Sequence, residues 1–172
     1  MASQDDDGAK PGELLLEAAR RNNTDLLEET LSGYAGDASE LINSAHDALG
    51  NTALHLAAIN GSYECLDILL DVEGVEVDPI NRLEGDTPLH SAVRYSEEEP
   101  EHGAFIADVL IDAGCDPRIR NKEGLKPIDL VPASGELMTK TLRGAELALM
   151  MGPAETVETT VDDDDEGASD SE

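Results

Sequence analysis

Residues 50–55 read GNTALH, and two similar segments follow at 85–90 (GDTPLH) and 124–129 (GLKPID). The three segments start 35 and 39 residues apart. Apolar residues at helical spacing follow each segment, as Leu66 and Leu69 follow the first. A repeat of this length predicts a stack of helical units, because one short unit cannot bury its apolar face alone.

The repeated segments carry residues that favour the start of a helix. Thr52 and Thr87 can cap a first helix through their hydroxyl oxygens, and Pro88 suits the first helical turn, where no N–H group is needed. Gly61 suits a tight turn after that helix. Upstream, LLLEAARRNNTDLLEETL contains a half-match in which Asn22 can take the left-handed conformation in place of glycine.

The pattern resembles the ankyrin repeat, a family with a period of roughly 33 residues whose units open on Thr-Pro-Leu-His. The resemblance covers about residues 13–143. It implies an all-α ankyrin-repeat solenoid of paired antiparallel helices with β-turn loops, in about four units including two caps. It also implies that His55 and His90 bridge the backbones of adjacent units. LLEAARRNN, VRYSEEEPEHG and GAELA make the chain similar to short, acidic-tailed fungal members of the family.

We expect an ankyrin-repeat domain at residues 13–151 between disordered acidic ends at 1–12 and 152–172. Its parts are an N-terminal cap (13–32), full repeats (47–78 and 81–116), a degenerate C-terminal cap (118–143) with Asp129 in place of the usual histidine, and a last short helix (144–151). Two features depart from the plain repeat. The insertion SEEEPEHG at 96–103 lies at the turn between two helices, and the link 33–46 predicts a short helix around Leu41 and Ile42.

The charge of the chain excludes several classes of protein. Its 39 acidic and 11 basic residues give a net charge of −28, which argues against a protein that coats nucleic acid or docks on anionic membranes. Residues 1–12 carry −2 and residues 152–172 carry −9, which leaves −17 on residues 13–151. No segment approaches the roughly 18 apolar residues of a membrane helix. Two isolated cysteines favour a reducing compartment, so we expect the protein in the cytoplasm, the nucleus or both. We also expect a monomer, because the predicted caps are polar enough to close the stack.

The sequence contains no pattern typical of an enzyme or a cofactor site. Two of its four histidines, His55 and His90, belong to the repeat pattern, and the others are His46 and His102. His102 and the glutamates of the insertion could chelate a divalent ion loosely, but a solvated acidic loop is the favoured interpretation because metal sites need defined ligand spacing. We therefore predict no enzyme activity, no cofactor and no metal.

The resemblance implies that turn tips and first helices line a concave groove that binds a protein partner. Carried over by position, the candidate partner-binding residues are Arg20, Arg21, Asn51, Ile59, Asn60, Leu83, Glu84, Asp86, Arg94, Tyr95, Lys122 and Leu125. With Glu123, the charged members sum to +1, so we expect a nearly neutral groove and an acidic back. Aromatic and arginine side chains often dominate interfaces, so Tyr95 and Arg94 are the main expected contacts.

These observations predict a non-enzymatic protein–protein interaction module, an adaptor or a chaperone-like escort. The acidic tail would attract a basic partner such as a ribosomal protein or a histone. The alternative is a regulatory or assembly subunit, whose neutral or acidic partner is held by Arg20, Arg21, Arg94 and Lys122 and whose tail is only a solubiliser.

Overall fold

The computed structural model describes residues 9–152, which form eight α-helices, one short 3-10 helix and no strand. Residues 1–8 and 153–172, and with them most of the two predicted acidic ends, lie outside the described residues. The α-helices are α1 (Pro11–Arg21), α2 (Thr24–Gly33), α3 (Ala38–Ser44), α4 (Ala53–Ile59), α5 (Tyr63–Leu70), α6 (Pro88–Tyr95), α7 (Pro100–Asp112) and α8 (Glu136–Met151). The 3-10 helix, Pro127–Leu130, lies between α7 and α8.

The helices stack in pairs. α1 pairs with α2, α4 with α5, α6 with α7, and the 3-10 helix with α8. The first helix of each pair packs on the first helix of the next, so α4 lies between α1 and α6, and the 3-10 helix packs on α6. This arrangement confirms the predicted all-α solenoid of paired helices. The predicted link helix is also present, as α3, with Leu41 and Ile42 buried.

The core is built from aliphatic side chains. Within residues 9–152 no Phe or Tyr side chain is fully buried, whereas Leu15, Leu54, Leu89 and Ile106 are. The first helices α1, α4 and α6 carry buried alanines, among them Ala18 and Ala19 on α1, Ala57 and Ala58 on α4, and Ala92 on α6. Small side chains at these positions let successive first helices approach closely, because a larger side chain would overfill the interior.

Asn22 ends α1 in the left-handed conformation, with φ 56° and ψ 39°, as the sequence predicted. Its side chain also links the first unit to the second. Nδ2 of Asn22 donates to Oε1 of Glu64 at 2.7 Å, and its Oδ1 accepts from the backbone N–H of Cys65 at 3.1 Å. A glycine would make the turn but neither of these bonds, which explains why asparagine suits this position.

The C-terminal unit differs from the prediction in both of its helices. The predicted separate short helix at 144–151 is wrong, because α8 runs without interruption from Glu136 to Met151. Gly144 stays helical inside α8, and the space beside it is open to solvent. The first helix of this unit is only the 3-10 turn Pro127–Leu130. Pro132 lacks an N–H group and keeps Val131 extended (φ −72°, ψ 128°), which stops the helix.

The acidic insertion is partly helical, so the expected solvated loop covering all of 96–103 is wrong. α7 begins at Pro100 and includes 100–103 in its first turn, which leaves only residues 96–99 between α6 and α7. Gly103 lies directly against Ser96, and a Cβ atom there would overlap it. α1 starts at Pro11, two residues before the predicted start of the N-terminal cap at residue 13.

Both cysteines are free, buried and placed between units. The Sγ of Cys65 donates to the carbonyl oxygen of Ala18 at 3.4 Å, between the second unit and the first. The Sγ of Cys115 donates to the carbonyl oxygen of Val77 at 3.1 Å, between the third unit and the second. Burial raises the pKa of Cys65 to about 11 and also raises that of Cys115, so neither thiol is a ready nucleophile.

Candidate protein-binding groove

A single Asp or Asn side chain holds each turn before a first helix. In the last turn, Oδ1 of Asn121 accepts from the backbone N–H groups of Glu123 at 2.9 Å and Leu125 at 3.1 Å. Asp47 and Asn81 do the same in the two earlier turns, with bonds of 2.9 to 3.2 Å. The sequence analysis missed these residues. Their signal is an Asp or Asn three or four residues before each turn glycine.

The side chains of these turns also join neighbouring units. Nδ2 of Asn81 donates to Oδ1 of Asn51 at 3.0 Å, and Nδ2 of Asn121 donates to Oδ1 of Asp86 at 2.9 Å. Each asparagine therefore orders its own turn through Oδ1 and holds the preceding turn through Nδ2. The turn tips form one continuous hydrogen-bonded edge, which gives the adjacent groove a fixed wall.

His55 and His90 make the predicted bridges between units. Nε2 of His55 donates to the carbonyl oxygen of Asp86 at 2.7 Å, and Nε2 of His90 donates to that of Leu125 at 2.8 Å. The Nδ1 atoms accept from the backbone N–H groups of Thr52 and Thr87, each at 3.1 Å. One nitrogen accepts and the other donates, so both rings are neutral. Burial is the main reason that the pKa of each ring is lowered.

A cavity of about 390 Å³ lies between the turn tips and the first helices α4 and α6. We call it the groove cavity. It brings together seven of the twelve predicted partner-binding residues, Asn51, Ile59, Leu83, Glu84, Asp86, Arg94 and Tyr95, and adds Leu49, Asn81, Ser91, Glu97 and Glu98. Leu49, Ile59 and Leu83 are exposed there. The structure thus places an apolar surface inside a concave site, where a partner's side chains can be buried.

Asp86 serves the structure of the groove, because its side chain is only 1% exposed. Oδ2 accepts from Nε of Arg94 at 2.7 Å, and Oδ1 accepts from Asn121. The predicted partner contact through Asp86 is therefore wrong: a partner cannot reach this carboxylate, which instead orients the exposed Arg94. Asn51 is also buried, between Asp47 and Asn81, and supports the wall in the same way.

Tyr95 lies against the turn between α4 and α5. Its ring covers Gly61, and a Cβ atom on Gly61 would overlap the Tyr95 hydroxyl. Gly61 also has a φ of 66°, so both its backbone conformation and the space beside it favour glycine. Tyr95 is half-buried and forms a wall of the groove cavity.

The other five predicted residues do not line the groove cavity. Arg20 and Arg21 lie at the end of α1 and pair with Glu17 at 2.7 and 2.6 Å. Asn60 ends α4 and donates from Nδ2 to the carbonyl oxygen of Leu56 at 2.8 Å. Lys122 donates from Nζ to the carbonyl oxygen of Arg82. Leu125 is half-buried, and both of its backbone polar groups are used within the fold.

The expectation of a nearly neutral groove does not hold for the groove cavity. Among residues 9–152, Arg94 is the one cation that lines it, against the carboxylates of Glu84, Asp86, Glu97 and Glu98, a formal charge of −3. Two physical reasons account for the difference. The insertion brings Glu97 and Glu98 to the cavity, and the arginines of α1 lie elsewhere.

A larger cavity of about 500 Å³ lies on the other side of the turn tips. We call it the tip cavity. Arg82 and Lys122 line it, together with His46, Glu76 and Ile80.

Across residues 9–152, no cluster of three or more His, Cys, Asp or Glu side chains could hold a metal ion. Over the same residues, no helix has the length and hydrophobicity needed to cross a membrane.

Comparisons with known proteins agree with this geometry. The family model "Ankyrin repeats (3 copies)" matches residues 15–121. The chain is 52% identical over 148 residues to Ankyrin repeat-containing protein YGL242C of Saccharomyces cerevisiae, covering 83% of this chain and 82% of that protein. It is 37% identical over 87 residues to human Ankyrin repeat and SOCS box protein 9, covering 50% of this chain and 26% of that protein.

A third relative is mouse Protein phosphatase 1 regulatory subunit 12A, 35% identical over 100 residues, which are 55% of this chain and 9% of that protein. The human and mouse relatives therefore match about half of this chain and a small part of their own length, whereas the yeast relative matches it along most of its length. The stacked helix pairs, the histidine bridges and the family match lead to one conclusion: the chain belongs to the ankyrin-repeat family, whose repeats are protein–protein interaction modules.

Proposed function

We propose that this protein binds a protein partner through the groove cavity and acts as an adaptor or a chaperone-like escort. The observation that carries the proposal is the exposure of Leu49, Ile59 and Leu83 within one concave site. Apolar side chains that cluster in a concave surface with a polar rim are typical of interaction sites. The hydrogen-bonded edge of the turn tips holds Leu49 and Leu83 in place, and Ile59 is held on α4, which lowers the entropy lost on binding.

The electrostatics of the chain favour a basic partner. The whole chain carries −28, and the groove cavity itself carries −3. A basic client such as a ribosomal protein or a histone would be attracted over long range, which raises the association rate at low salt. The tail at 152–172 adds −9 to this attraction. We place the protein as a monomer in the cytoplasm, the nucleus or both, where its two free thiols would stay reduced.

A regulatory or assembly subunit with an acidic partner is the second candidate, and the tip cavity favours it. Arg82 and Lys122 face that cavity, whereas Arg20, Arg21 and Arg94 already pair with acids of the chain. If this candidate holds, replacing Arg82 and Lys122 with alanine weakens partner binding, and deleting the tail leaves it unchanged.

Leu83 and Ile80 provide a matched test of the groove. They lie in the same loop between α5 and α6 and are 60% and 59% exposed, but Leu83 lines the groove cavity and Ile80 lines the tip cavity. The partner is first isolated on the tagged wild-type chain, and its dissociation constant is then measured with each purified variant. We expect Leu83→Glu to weaken binding by about tenfold or more, since anchor residues in interfaces contribute upwards of 1 kcal/mol. Ile80→Glu should leave the dissociation constant unchanged.

The same purified pair tests the charge of the partner. Raising the salt from about 50 to about 500 mM should weaken a complex with a basic partner, and deletion of 152–172 should slow its association. Equal losses of binding affinity in Leu83→Glu and Ile80→Glu would contradict the proposal that the partner binds in the groove cavity. Binding that is indifferent to salt and to the deletion would leave the tail as a solubiliser.

A further inference from the structure

The acidic insertion is fastened to the preceding unit. Nε2 of His102 donates to the carbonyl oxygen of Gly61 at 2.8 Å, so the first turn of α7 is bonded to the turn between α4 and α5. The His102 ring also meets Tyr95 edge-on at 5.6 Å between ring centroids and stacks on Phe105 at 6.2 Å. These contacts hold one end of the insertion in a fixed position beside the groove cavity.

The other end of the insertion continues the turn of α6. The backbone N–H of Glu97 donates to the carbonyl oxygen of Arg94 at 3.2 Å, and that of Glu98 donates to the carbonyl oxygen of Tyr95 at 3.1 Å. Oγ of Ser96 donates to the carbonyl oxygen of Val93 at 2.6 Å. Glu97 and Glu98 are thus held by ordered backbone at both ends of a short segment, and both line the groove cavity.

The two glutamates are available to a ligand. In the described part of the chain, the ion pairs use Glu17, Asp86, Asp116 and Glu146 as acids, and neither Glu97 nor Glu98 is among them. Arg94 cannot neutralise them fully, because Asp86 holds its Nε. The pKa of Tyr95 is raised, first by burial and further by the charges of Glu99 and Glu98, so one of the two glutamates, Glu98, acts on the cavity wall.

We propose that the groove cavity binds a segment of a protein partner in which an aliphatic or aromatic side chain stands beside a lysine or arginine, and that the anchored insertion selects this cation through Glu97 and Glu98. The apolar side chain packs against Leu49, Ile59 and Leu83, and the cation lies between the two carboxylates at the edge. An acidic segment is repelled by the same charges. This inference rests on the proposed function, to which it adds the sequence chemistry of the partner.

The probe for this proposal is a displayed library of random short peptides, selected on the immobilised full-length chain. Wild type should enrich peptides with Lys or Arg within two positions of Leu, Ile, Phe or Tyr. Glu97→Lys/Glu98→Lys should shift the enriched peptides toward Asp and Glu. The control is Glu101→Lys/Asp108→Lys, which changes the net charge equally at two exposed residues of α7 outside the groove cavity; it should select the same peptides as wild type.

One enriched peptide and its copy with the cation changed to glutamate are then measured by fluorescence anisotropy. We expect the basic peptide to bind wild type about tenfold more tightly and the order to reverse in Glu97→Lys/Glu98→Lys. Thermal unfolding followed by circular dichroism checks that the variants fold, which the exposure of both glutamates favours.

Three outcomes would overturn the inference: no enriched peptide, an unchanged charge preference in Glu97→Lys/Glu98→Lys, or the same shift in the control variant. Enrichment of apolar residues alone, abolished by Leu83→Glu, would overturn the selection of a cation but leave the proposed groove intact. If Leu83→Glu bound the enriched peptides as well as wild type does, that result would instead count against binding in the groove cavity itself.

Discussion

The third and fourth units begin alike and end differently. Both first helices start at a proline three residues after a turn glycine, Pro88 after Gly85 and Pro127 after Gly124. The third unit continues as the eight-residue helix α6, whereas the fourth stops after the four residues Pro127–Leu130. The repeated motif therefore sets where a helix begins, and the residues after it decide how far the helix runs.

The two units also differ in what their sixth motif residue does. His90 accepts from Thr87 with Nδ1 and donates to Leu125 of the next unit with Nε2. Asp129 accepts from the backbone N–H of Lys126 at 2.9 Å, but it lacks the ring N–H group with which a histidine could donate to a neighbouring unit. An aspartate thus reproduces the cap within the unit but not the bridge between units, which suits the last unit of a stack.

The largest effect should come from breaking the bridge that the third unit has and the fourth lacks. His90→Ala leaves the buried N–H of Thr87 without its partner and opens a cavity at a fully buried side chain. It also removes one of the two hydrogen bonds that the carbonyl oxygen of Leu125 accepts, since that oxygen still accepts from the N–H of Asn121. We expect it to lower the free energy of unfolding by about 3 kcal/mol. Urea unfolding followed by circular dichroism measures this. A loss below about 1 kcal/mol would show that the bridge is dispensable.

An intermediate effect should come from pH, through the histidines of the second and third units. Burial lowers the pKa of His55 and His90 in the folded state below the ordinary value of 6.5. The unfolded chain therefore binds protons first as the pH falls, so the stability that the neutral rings contribute is complete above pH 6.5 and is lost below it.

The measurement is the free energy of unfolding of the wild type minus that of His90→Asn between about pH 7.5 and 5.5. The subtraction removes the contribution of the many carboxylates that both proteins share. The difference should fall with falling pH. A difference that is constant, or that rises, would contradict the assignment of a neutral buried ring to His90.

The smallest effects belong to the fourth unit. Asp129→Ala removes a cap at an exposed position and should cost about 1 kcal/mol. Asp129→His can restore the cap through Nδ1, but the described residues contain no further unit for it to bridge, so we expect a change within about 0.5 kcal/mol of wild type. A gain well above that value in Asp129→His would mean that the histidine stabilises a unit without bridging to another. Urea unfolding of both variants beside His90→Ala makes the comparison.

The sequence alone was sufficient for the stack and its bridges. Thr52, Thr87 and Pro88 start helices as predicted, and His55 and His90 reach the next unit. These outcomes depend on residues close together in sequence or on a motif that repeats, so local chemistry determines them. The groove was partly predictable for the same reason, since motif positions place Leu83 and Tyr95 beside it.

The remaining features depend on contacts that spacing does not show. Asp86 and Arg94 are eight residues apart and pair only because the turn folds back onto α6. His102 fastens the insertion to Gly61, 41 residues away, which brings its glutamates to the groove cavity. Gly144 led to the wrong prediction of a separate helix at 144–151, since a glycine in an open helical position costs stability without ending the helix.

Alkylation of the two buried thiols would show the order in which the junctions between units open. Cys65 is covered by the first unit and Cys115 contacts the second unit, so separation at either junction would expose one thiol to alkylation while the other stays protected. Labelling rates in mild denaturant, read at each cysteine by mass spectrometry, would report whether the array frays from its N-terminal end or parts in the middle. Partner binding across the second and third units should slow the labelling of Cys115 more than that of Cys65.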